Sequence, residues 1–211
     1  MKVCIIDYGL GNLTSVFNAV EKLGFDVCIS NDIKEIVDST YLILPGVGSF
    51  SNGMKNLRKL NLINLLNHEV LENKKPILGI CLGMQLFASF GYENGVSKGL
   101  GWIKGDVKKL RRNLESERIP HMGWNDVSVT KGSILADNIT ESSVFYFVHS
   151  YQFIPEDSSL VTGVCDYAGG FAAMIEYKNI FATQFHPEKS HDIGLKLIEN
   201  FLCRSDAHAE N

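Results

Sequence analysis

Residues 77–86 read Ile-Leu-Gly-Ile-Cys-Leu-Gly-Met-Gln-Leu, and this stretch decides the fold. The apolar residues 77–80 predict a buried strand, and residues 82–90 predict a helix that follows it at once. Two glycines flank Cys81, and a sharp turn from strand to helix requires small residues at those places. The pattern therefore places the Cys81 thiol at the end of a strand, where α/β folds bind ligands.

The same alternation of strand and helix extends over the first half of the chain. Apolar runs predict strands at residues 2–6, 26–30 and 41–44, and amphipathic segments predict helices between Asn12 or Thr14 and Gly24, at 54–60 and at 62–72. Strands separated by helices predict a mostly parallel central sheet with helices on both faces.

The second half is richer in strands. They are predicted at residues 106–110, 126–130, 144–147, 160–167, 172–176 and 180–184, before a closing helix at 193–202. No linker or repeat interrupts the pattern. We therefore expect one α/β domain over residues 1–204 and a disordered tail over residues 205–211.

Composition narrows the class of protein. Apolar residues make up 45% of the 211 residues, and the net charge is −4, which argues against nucleic acid as a partner. The basic run 108–112 is interpreted as a solvated strand end.

The apolar stretch 3–6 is too short for a signal peptide or a membrane span. Five cysteines without a CxxC pair argue against disulfides and fit a cytoplasmic protein.

The position of Cys81 suggests a nucleophile. A thiol at a helix N-terminus is stabilised as thiolate by the helix dipole and by free N–H groups. The alternative is a buried cysteine that merely packs between two glycines. A nucleophilic thiol also needs a base.

Gln184-Phe185-His186-Pro187-Glu188 supplies a candidate base near the C-terminus. Pro187 favours an extended backbone at His186, and in an extended segment residues two apart point to the same side. Glu188 would then bind and orient the imidazole, as the third member of a catalytic triad does. Cys81, His186 and Glu188 are therefore our candidate catalytic residues.

Other chemistries lack part of their pattern. A zinc deaminase needs a P-C-x-x-C segment after its His-x-Glu, and none is present. The remaining histidines have no ligand spacing, so we expect no metal site. Gly9-Leu10-Gly11 is followed by Thr14 where a dinucleotide fingerprint needs glycine. We expect no cofactor.

Pro45-Gly46-Val47-Gly48 follows the third predicted strand. Its glycines leave backbone N–H groups free to face a ligand, and acyl transfer needs such donors for the oxyanion. Val47, Gly48 and the N–H of Leu82 are the candidate oxyanion hole, although a plain turn at a strand end is the alternative for residues 45–48.

Together these motifs resemble the class I glutamine amidotransferases, and among them most closely the glutaminase subunits of imidazole glycerol phosphate synthases. The resemblance covers nearly the whole chain and rests on residues 7–13, 45–50, 79–85, 120–125 and 186–190. It implies the fold of that family. It also implies that Cys81 takes the γ-glutamyl group, that His186 moves protons, and that glutamine is bound by Gln85, Glu93, Ser150 and Tyr151.

The resemblance further implies a partner. It is a (βα)₈-barrel cyclase subunit in a heterodimer, which would use the ammonia to make imidazole glycerol phosphate and an aminoimidazole carboxamide ribonucleotide in histidine biosynthesis. The positions similar to interface residues are Asn12, Trp124, Asn125 and Lys189, and the Val47 peptide is similar to one that must reorient for activity. We expect weak glutaminase activity in the isolated chain.

Four alternatives stay open at this point. Similar glutaminase subunits serve amidotransferases that make bacterial surface sugars. The fold also occurs in free-standing γ-glutamyl hydrolases or peptidases, and it could be kept by a non-catalytic interaction module. A redox protein with an elbow cysteine is the last, and it would leave the His-Pro-Glu segment without a role.

Overall fold

The structure is a computed structural model that describes residues 1–115, 117–130, 132–140 and 143–204. Its strands are β1 (Lys2–Ile6), β2 (Asp26–Ser30), β3 (Tyr41–Gly46), β4 (Ile77–Cys81), β5 (Phe90–Gly91), β6 (Ser97–Lys98), β7 (Gly105–Lys109), β8 (His121–Asp126), β9 (Ser128–Val129), β10 (Val144–His149), β11 (Tyr151–Pro155), β12 (Val161–Cys165), β13 (Phe171–Tyr177) and β14 (Ile180–Thr183).

The α-helices are α1 (Leu13–Lys22), α2 (Ile33–Asp38), α3 (Phe50–Lys59), α4 (Leu62–Asn67), α5 (Leu82–Leu86) and α6 (His191–Leu202). A π-helical turn (His68–Glu72) continues α4, and 3-10 turns at Ser158–Leu160 and Pro187–Lys189 precede β12 and α6. Within the described ranges, no helix is long and apolar enough to cross a membrane.

The central sheet has the strand order β2-β1-β3-β4-β14-β13-β12-β9. The first five strands run parallel to one another, and β13, β12 and β9 extend the sheet in antiparallel fashion. This confirms the predicted α/β fold with a strand-rich second half. Two smaller sheets, β10-β8 and β11-β7-β5-β6, come from the remaining strands.

Each face of the sheet carries its own core because successive strand residues point to opposite sides. From β1, Val3 and Ile5 pack on one face with residues of α1 and α6. Cys4 and Ile6 pack on the other face with residues of α2, α3, α4 and α5. Helices on both faces explain why the inner parallel strands β3, β4 and β14 are buried along their whole length.

Several predicted elements differ in extent from the structure, and two of them show the cause. The helix expected at 82–90 ends at Leu86. The backbone N–H of Ser89 donates to the carbonyl of Gly105 at 2.9 Å, and β5 then pairs with β7. The strand expected at 126–130 is divided between β8 and β9, which pair with different partners, β10 and β12. In both cases pairing with a distant segment overrides the local pattern. The expected tail at 205–211 lies outside the described residues.

Candidate active site

The turn around Cys81 is strained and tightly packed. Cys81 links β4 to α5 with φ 54° and ψ −105°, a conformation that residues other than glycine seldom adopt. A Cβ atom on Gly83 would lie 1.7 Å from the carbonyl oxygen of Leu44, and one on Gly79 would lie 2.6 Å from the Phe87 ring. The two glycines are therefore required by close contacts on either side of the thiol.

The Cys81 thiol is held at the edge of the core, and only 6% of the residue is exposed. Its sulfur lies 3.9 Å from the carbonyl oxygen of Val148, and the side chain of Gln184 donates to it at 3.7 Å. Gln184 follows β14 and stands two residues before His186. Sequence reasoning gave Gln184 no role, although its place beside the candidate base was a usable signal.

His186 and Glu188 form a buried pair. Nδ1 of His186 lies 2.8 Å from Oε1 of Glu188, and the two side chains are 2% and 1% exposed. From the sequence we expected an extended segment to align the side chains of His186 and Glu188. Residues Pro187–Lys189 instead form a 3-10 turn, so the turn, and not strand alternation, brings the carboxylate to the ring.

The imidazole of His186 is held in its charged form. Burial by itself lowers the pKa of His186, but Cys81 and then Glu188 outweigh burial and raise that pKa to about 10. Among the described residues, Nε2 of His186 makes no hydrogen bond of good geometry. The site can therefore supply a proton at Nε2 of His186.

A pocket of about 280 Å³ opens at the sulfur, and we call it the thiol pocket. Its lining brings together eight of the residues singled out from the sequence, Val47, Gly48, Cys81, Leu82, Gln85, Glu93, Ser150 and Tyr151, together with Val148 and His149. A larger depression of about 810 Å³ lies near Ile134 and Lys196. Cys81 lines the thiol pocket but not this depression, so the thiol pocket is the better candidate site.

Two polar side chains of the thiol pocket already have partners. Nε2 of Gln85 donates to the carbonyl of Tyr151 at 2.9 Å and to the side chain of Gln184 at 3.0 Å. The carboxylate of Glu93 accepts from the N–H of Phe50 at 2.8 Å. Glu93 thereby ties the start of α3, and with it the segment 46–49, to the wall of the pocket.

Comparison with known proteins identifies the family of this chain. A family model described as "Glutamine amidotransferase class-I" matches residues 4–205. The chain belongs to this family.

Curated relatives of this amidotransferase match over nearly their whole length. The imidazole glycerol phosphate synthase subunit HisH of Pelagibacter ubique is 44% identical over 206 residues, covering 96% of this chain and 99% of the relative. The protein of the same name from Aquifex aeolicus is 46% identical over 207 residues and covers 98% of both chains.

Solved structures are similar in fold. A structure described as a glutamine amidotransferase aligns with a TM-score of 0.73 at 18% identity, covering 94% of this chain and 98% of its own. PurLQS from Thermotoga maritima aligns with a TM-score of 0.71 at 20% identity, covering 95% and 97%.

In the amidotransferase fold, the segment proposed for the oxyanion hole lies beside Cys81. Gly46 is the register partner of Cys81 across β3 and β4, and Gly48 has φ 115°, a value that favours glycine. Behind Gly46 lies Tyr8, which is fully buried. Burial and then the charge of Cys81 raise the pKa of Tyr8. Sequence reasoning missed Tyr8 because nothing local marks its contact with residue 46.

Three of the four expected interface positions lie close together. Trp124 is 46% exposed and stacks on His191 with ring centroids 4.8 Å apart. Lys189 lies over the ring of Tyr146, which also contacts Trp124. Asn125 is adjacent on β8. The fourth position, Asn12, precedes α1 and makes no side-chain cap there. This part of the amidotransferase surface combines exposed aromatic area with a cation.

Metal ligation has no support in the described ranges. No group of three or more His, Cys, Asp or Glu side chains there could hold a metal ion. All five cysteines are free thiols, with Cys203 exposed and Cys28 partly so.

Proposed function

We propose that this chain, over residues 1–204, is the glutaminase subunit of an imidazole glycerol phosphate synthase. It hydrolyses glutamine to glutamate and ammonia for a (βα)₈-barrel cyclase partner in histidine biosynthesis. The observation that carries the proposal is the thiol of Cys81 at the mouth of a pocket, beside a His186 imidazole that Glu188 holds in place. The relatives described as imidazole glycerol phosphate synthase subunit HisH support the assignment to this synthase.

The first half-reaction forms a thioester. The Cys81 thiolate attacks the carbonyl carbon of the glutamine amide, and the carbonyl electrons move to oxygen. Leu82, Val47 and Gly48 would offer backbone N–H groups to that oxyanion. The raised pKa of His186 makes its imidazolium the acid that protonates the amide nitrogen, which leaves as ammonia.

The second half-reaction returns the enzyme to its starting state. Neutral His186 removes a proton from water, and the resulting hydroxide attacks the thioester carbon. The carbon–sulfur bond breaks, glutamate is released, and Cys81 is again a thiolate beside an imidazolium. Glu188 stabilises the positive ring in both steps through the bond at Nδ1.

Substrate binding is proposed for Gln85, Glu93, Ser150 and Tyr151. All four line the thiol pocket. The Glu93 carboxylate suits the α-ammonium group of glutamine, and the backbone at residues 150–151 suits its α-carboxylate.

The partner is proposed to dock on the surface around Trp124, Asn125 and Lys189, with Asn12 at its margin. Exposed aromatic residues with a neighbouring cation are typical of interface centres. The complex would be a cytoplasmic heterodimer with lyase activity in the partner. We expect the isolated chain to hydrolyse glutamine weakly, and the complex to do so much faster.

Glutamate release from glutamine, measured with and without the co-expressed barrel subunit, tests the proposal. Cys81→Ala should abolish hydrolysis and labelling by a diazo-ketone analogue of glutamine. Cys203→Ala, which removes an exposed thiol, is the matched control. It should keep both glutamine hydrolysis and labelling by the analogue. Retained hydrolysis in Cys81→Ala would rule out the nucleophile.

The identity of the co-purifying protein separates the remaining alternatives. A (βα)₈ cyclase supports the proposal, and a surface-sugar amidotransferase would replace it. High turnover without any partner would indicate a free-standing hydrolase. Absence of both turnover and analogue labelling would indicate a non-catalytic module.

A further inference from the structure

Two buried histidines stand in series between the thiol pocket and the side chain of Asn125 on the inner face of β8. His121 and His149 are register partners at the end of the β8–β10 pair, and they are only 4% and 6% exposed. Nδ1 of His121 lies 3.2 Å from Nε2 of His149. Because His149 lines the thiol pocket, the pair reaches the site from inside the protein.

The partners at both ends set the direction of the hydrogen bonds. The carbonyl of Tyr151 can only accept, so Nδ1 of His149, 2.9 Å away, carries its proton. In a neutral ring Nε2 of His149 is then an acceptor, and Nδ1 of His121 donates to it. Nε2 of His121 is left to accept, and Nδ2 of Asn125 lies 3.5 Å from it.

The side-chain amide of Asn125 has the orientation that this direction needs. Its Oδ1 accepts from the N–H of Asp126 at 3.1 Å, which leaves Nδ2 to face the ring of His121. The four groups thus form one chain of donors and acceptors with a single consistent direction, from Asn125 to the Tyr151 carbonyl.

Both rings are neutral near pH 7. Burial lowers the pKa of His121 to about 4. Burial also lowers the pKa of His149 to about 3, against a smaller opposing effect of the Tyr151 carbonyl. A second proton on either ring would put two donors face to face, so the chain of bonds requires the neutral forms.

The inner end of the chain meets residues of the proposed chemistry. The carbonyl of Tyr151 also accepts from Gln85 at 2.9 Å. Gln85 donates to Gln184 at 3.0 Å, and Gln184 donates to the Cys81 sulfur at 3.7 Å. Displacement of the Tyr151 carbonyl would therefore disturb both the pocket wall and the hydrogen bond to the thiol.

Packing alone does not account for the two imidazoles. His121 is stacked on Tyr167 at 4.0 Å and also contacts Phe147 and Phe171. A phenylalanine would fill such a site without the cost of burying polar ring nitrogens. The hydrogen bonds are what the imidazoles add.

We propose that His121 and His149 are positioning residues for glutamine hydrolysis, holding the Tyr151 carbonyl and residues 148–151 in place and coupling them to Asn125, whose side chain lies on the inner face of β8 with His121. The inference rests on the proposed function and deepens it. It assigns to β8, whose opposite face exposes Trp124, a direct connection to the pocket wall.

Paired substitutions at residue 149 separate hydrogen bonding from packing. His149→Phe fills the ring volume without a donor, and we expect it to raise the KM for glutamine about 10-fold, the effect of one lost hydrogen bond. His149→Asn keeps an N–H near the Nδ1 position and should stay within about 3-fold of the wild-type KM, although its smaller side chain leaves a cavity and lowers Tm more. A KM that instead follows Tm across both variants would overturn the proposal.

The outer end is tested with Asn125→Asp, which keeps the shape but places an acceptor opposite Nε2 of His121. We expect the KM for glutamine to rise, by a smaller factor than in His149→Phe. An unchanged KM would overturn the coupling to β8.

Imidazole ¹⁵N spectra of the wild-type chain provide a measurement that needs no variant. We expect Nδ1–H tautomers for both His121 and His149 at pH 7, and an Nε2–H tautomer or a charged ring at either would overturn the chain of bonds. If the wild-type complex hydrolyses no glutamine while these tautomers are found, the proposed function fails and the hydrogen-bond chain stands.

Discussion

The hydroxyl of Tyr8 lies directly behind Gly46, so close that a Cβ atom on Gly46 would overlap it. This hydroxyl is buried and has no hydrogen-bond partner in the described part of the chain. An unsatisfied buried polar group costs about 1–3 kcal/mol, and such groups are uncommon in folded proteins. The structure thus keeps an unpaired donor against the segment proposed to form the oxyanion hole.

Replacement of Tyr8 by phenylalanine should stabilise the isolated chain. The change removes the unpaired hydroxyl and keeps the ring, so we expect the free energy of unfolding to rise by about 1 kcal/mol. Urea denaturation measures it. Tyr167→Phe is the matched control, because the Tyr167 hydroxyl bonds to both the N–H and the carbonyl of Arg118 at 2.7 Å and its loss should destabilise. A fall in stability for Tyr8→Phe would contradict the prediction.

Glu188→Gln should impair the proposed base. The substitution keeps the shape but removes the charge that lies 2.8 Å from Nδ1 of His186, so the imidazolium loses its stabilisation. By analogy with other triads, we expect kcat to fall by about 10²- to 10⁴-fold. The pH profile of Cys81 alkylation by iodoacetamide should change as well. An unaltered kcat would show that Glu188 does not orient the base.

Gly83→Ala should be strongly destabilising. The added Cβ would meet the Leu44 carbonyl oxygen at 1.7 Å, and backbone cannot move aside as a side chain can, so we expect a loss of about 1–3 kcal/mol or more. Gly53→Ala in α3 is the control, since its new Cβ meets only side-chain ends, those of Leu86 at 3.0 Å and Leu82 at 3.5 Å. Thermal unfolding compares the two, and equal losses would argue against the close contact at residue 83.

Acid should destabilise the protein through the buried neutral imidazoles of His121 and His149. The folded pKa values of His121 and His149, about 4 and 3, lie below the unfolded value of about 6.5. The unfolded chain therefore binds more protons below pH 6.5. Their contribution to stability is complete above pH 6.5, is lost progressively as pH falls from 6.5, and is gone once pH has fallen through the folded values of about 4 and 3.

The free energy of unfolding should change by at most about 1.4 kcal/mol per pH unit for each of the two histidines. Denaturant unfolding between pH 7 and pH 4.5 measures it. Because carboxylates also titrate at the acid end, the comparison is with His121→Phe, in which the slope should be smaller. Identical slopes in the two proteins would exclude His121 as a source of acid sensitivity.

Local sequence rules were sufficient for much of the fold and for the centre of the candidate site. The strand, tight turn and helix around Cys81 follow from apolar periodicity and from two glycines. The proximity of His186 and Glu188 was predicted, although through the wrong backbone conformation, because the 3-10 turn after Pro187 has no distinctive pattern. The end of α5 at Leu86 was also missed. Phe87 and Ala88 beyond it are apolar and buried, so the apolar pattern continues past the end of the helix.

From the sequence alone one could predict most strands of the central sheet, the family, and the residue types that can carry the chemistry. All of these depend on neighbours within a few positions or on motifs met in order along the chain. Only the tertiary structure decided that His121 faces His149, that Tyr8 lies behind Gly46, and that Gln184 reaches the sulfur. These contacts join segments 28 to 103 residues apart. Strand register and the packing of distant side chains set them, and no local pattern records either.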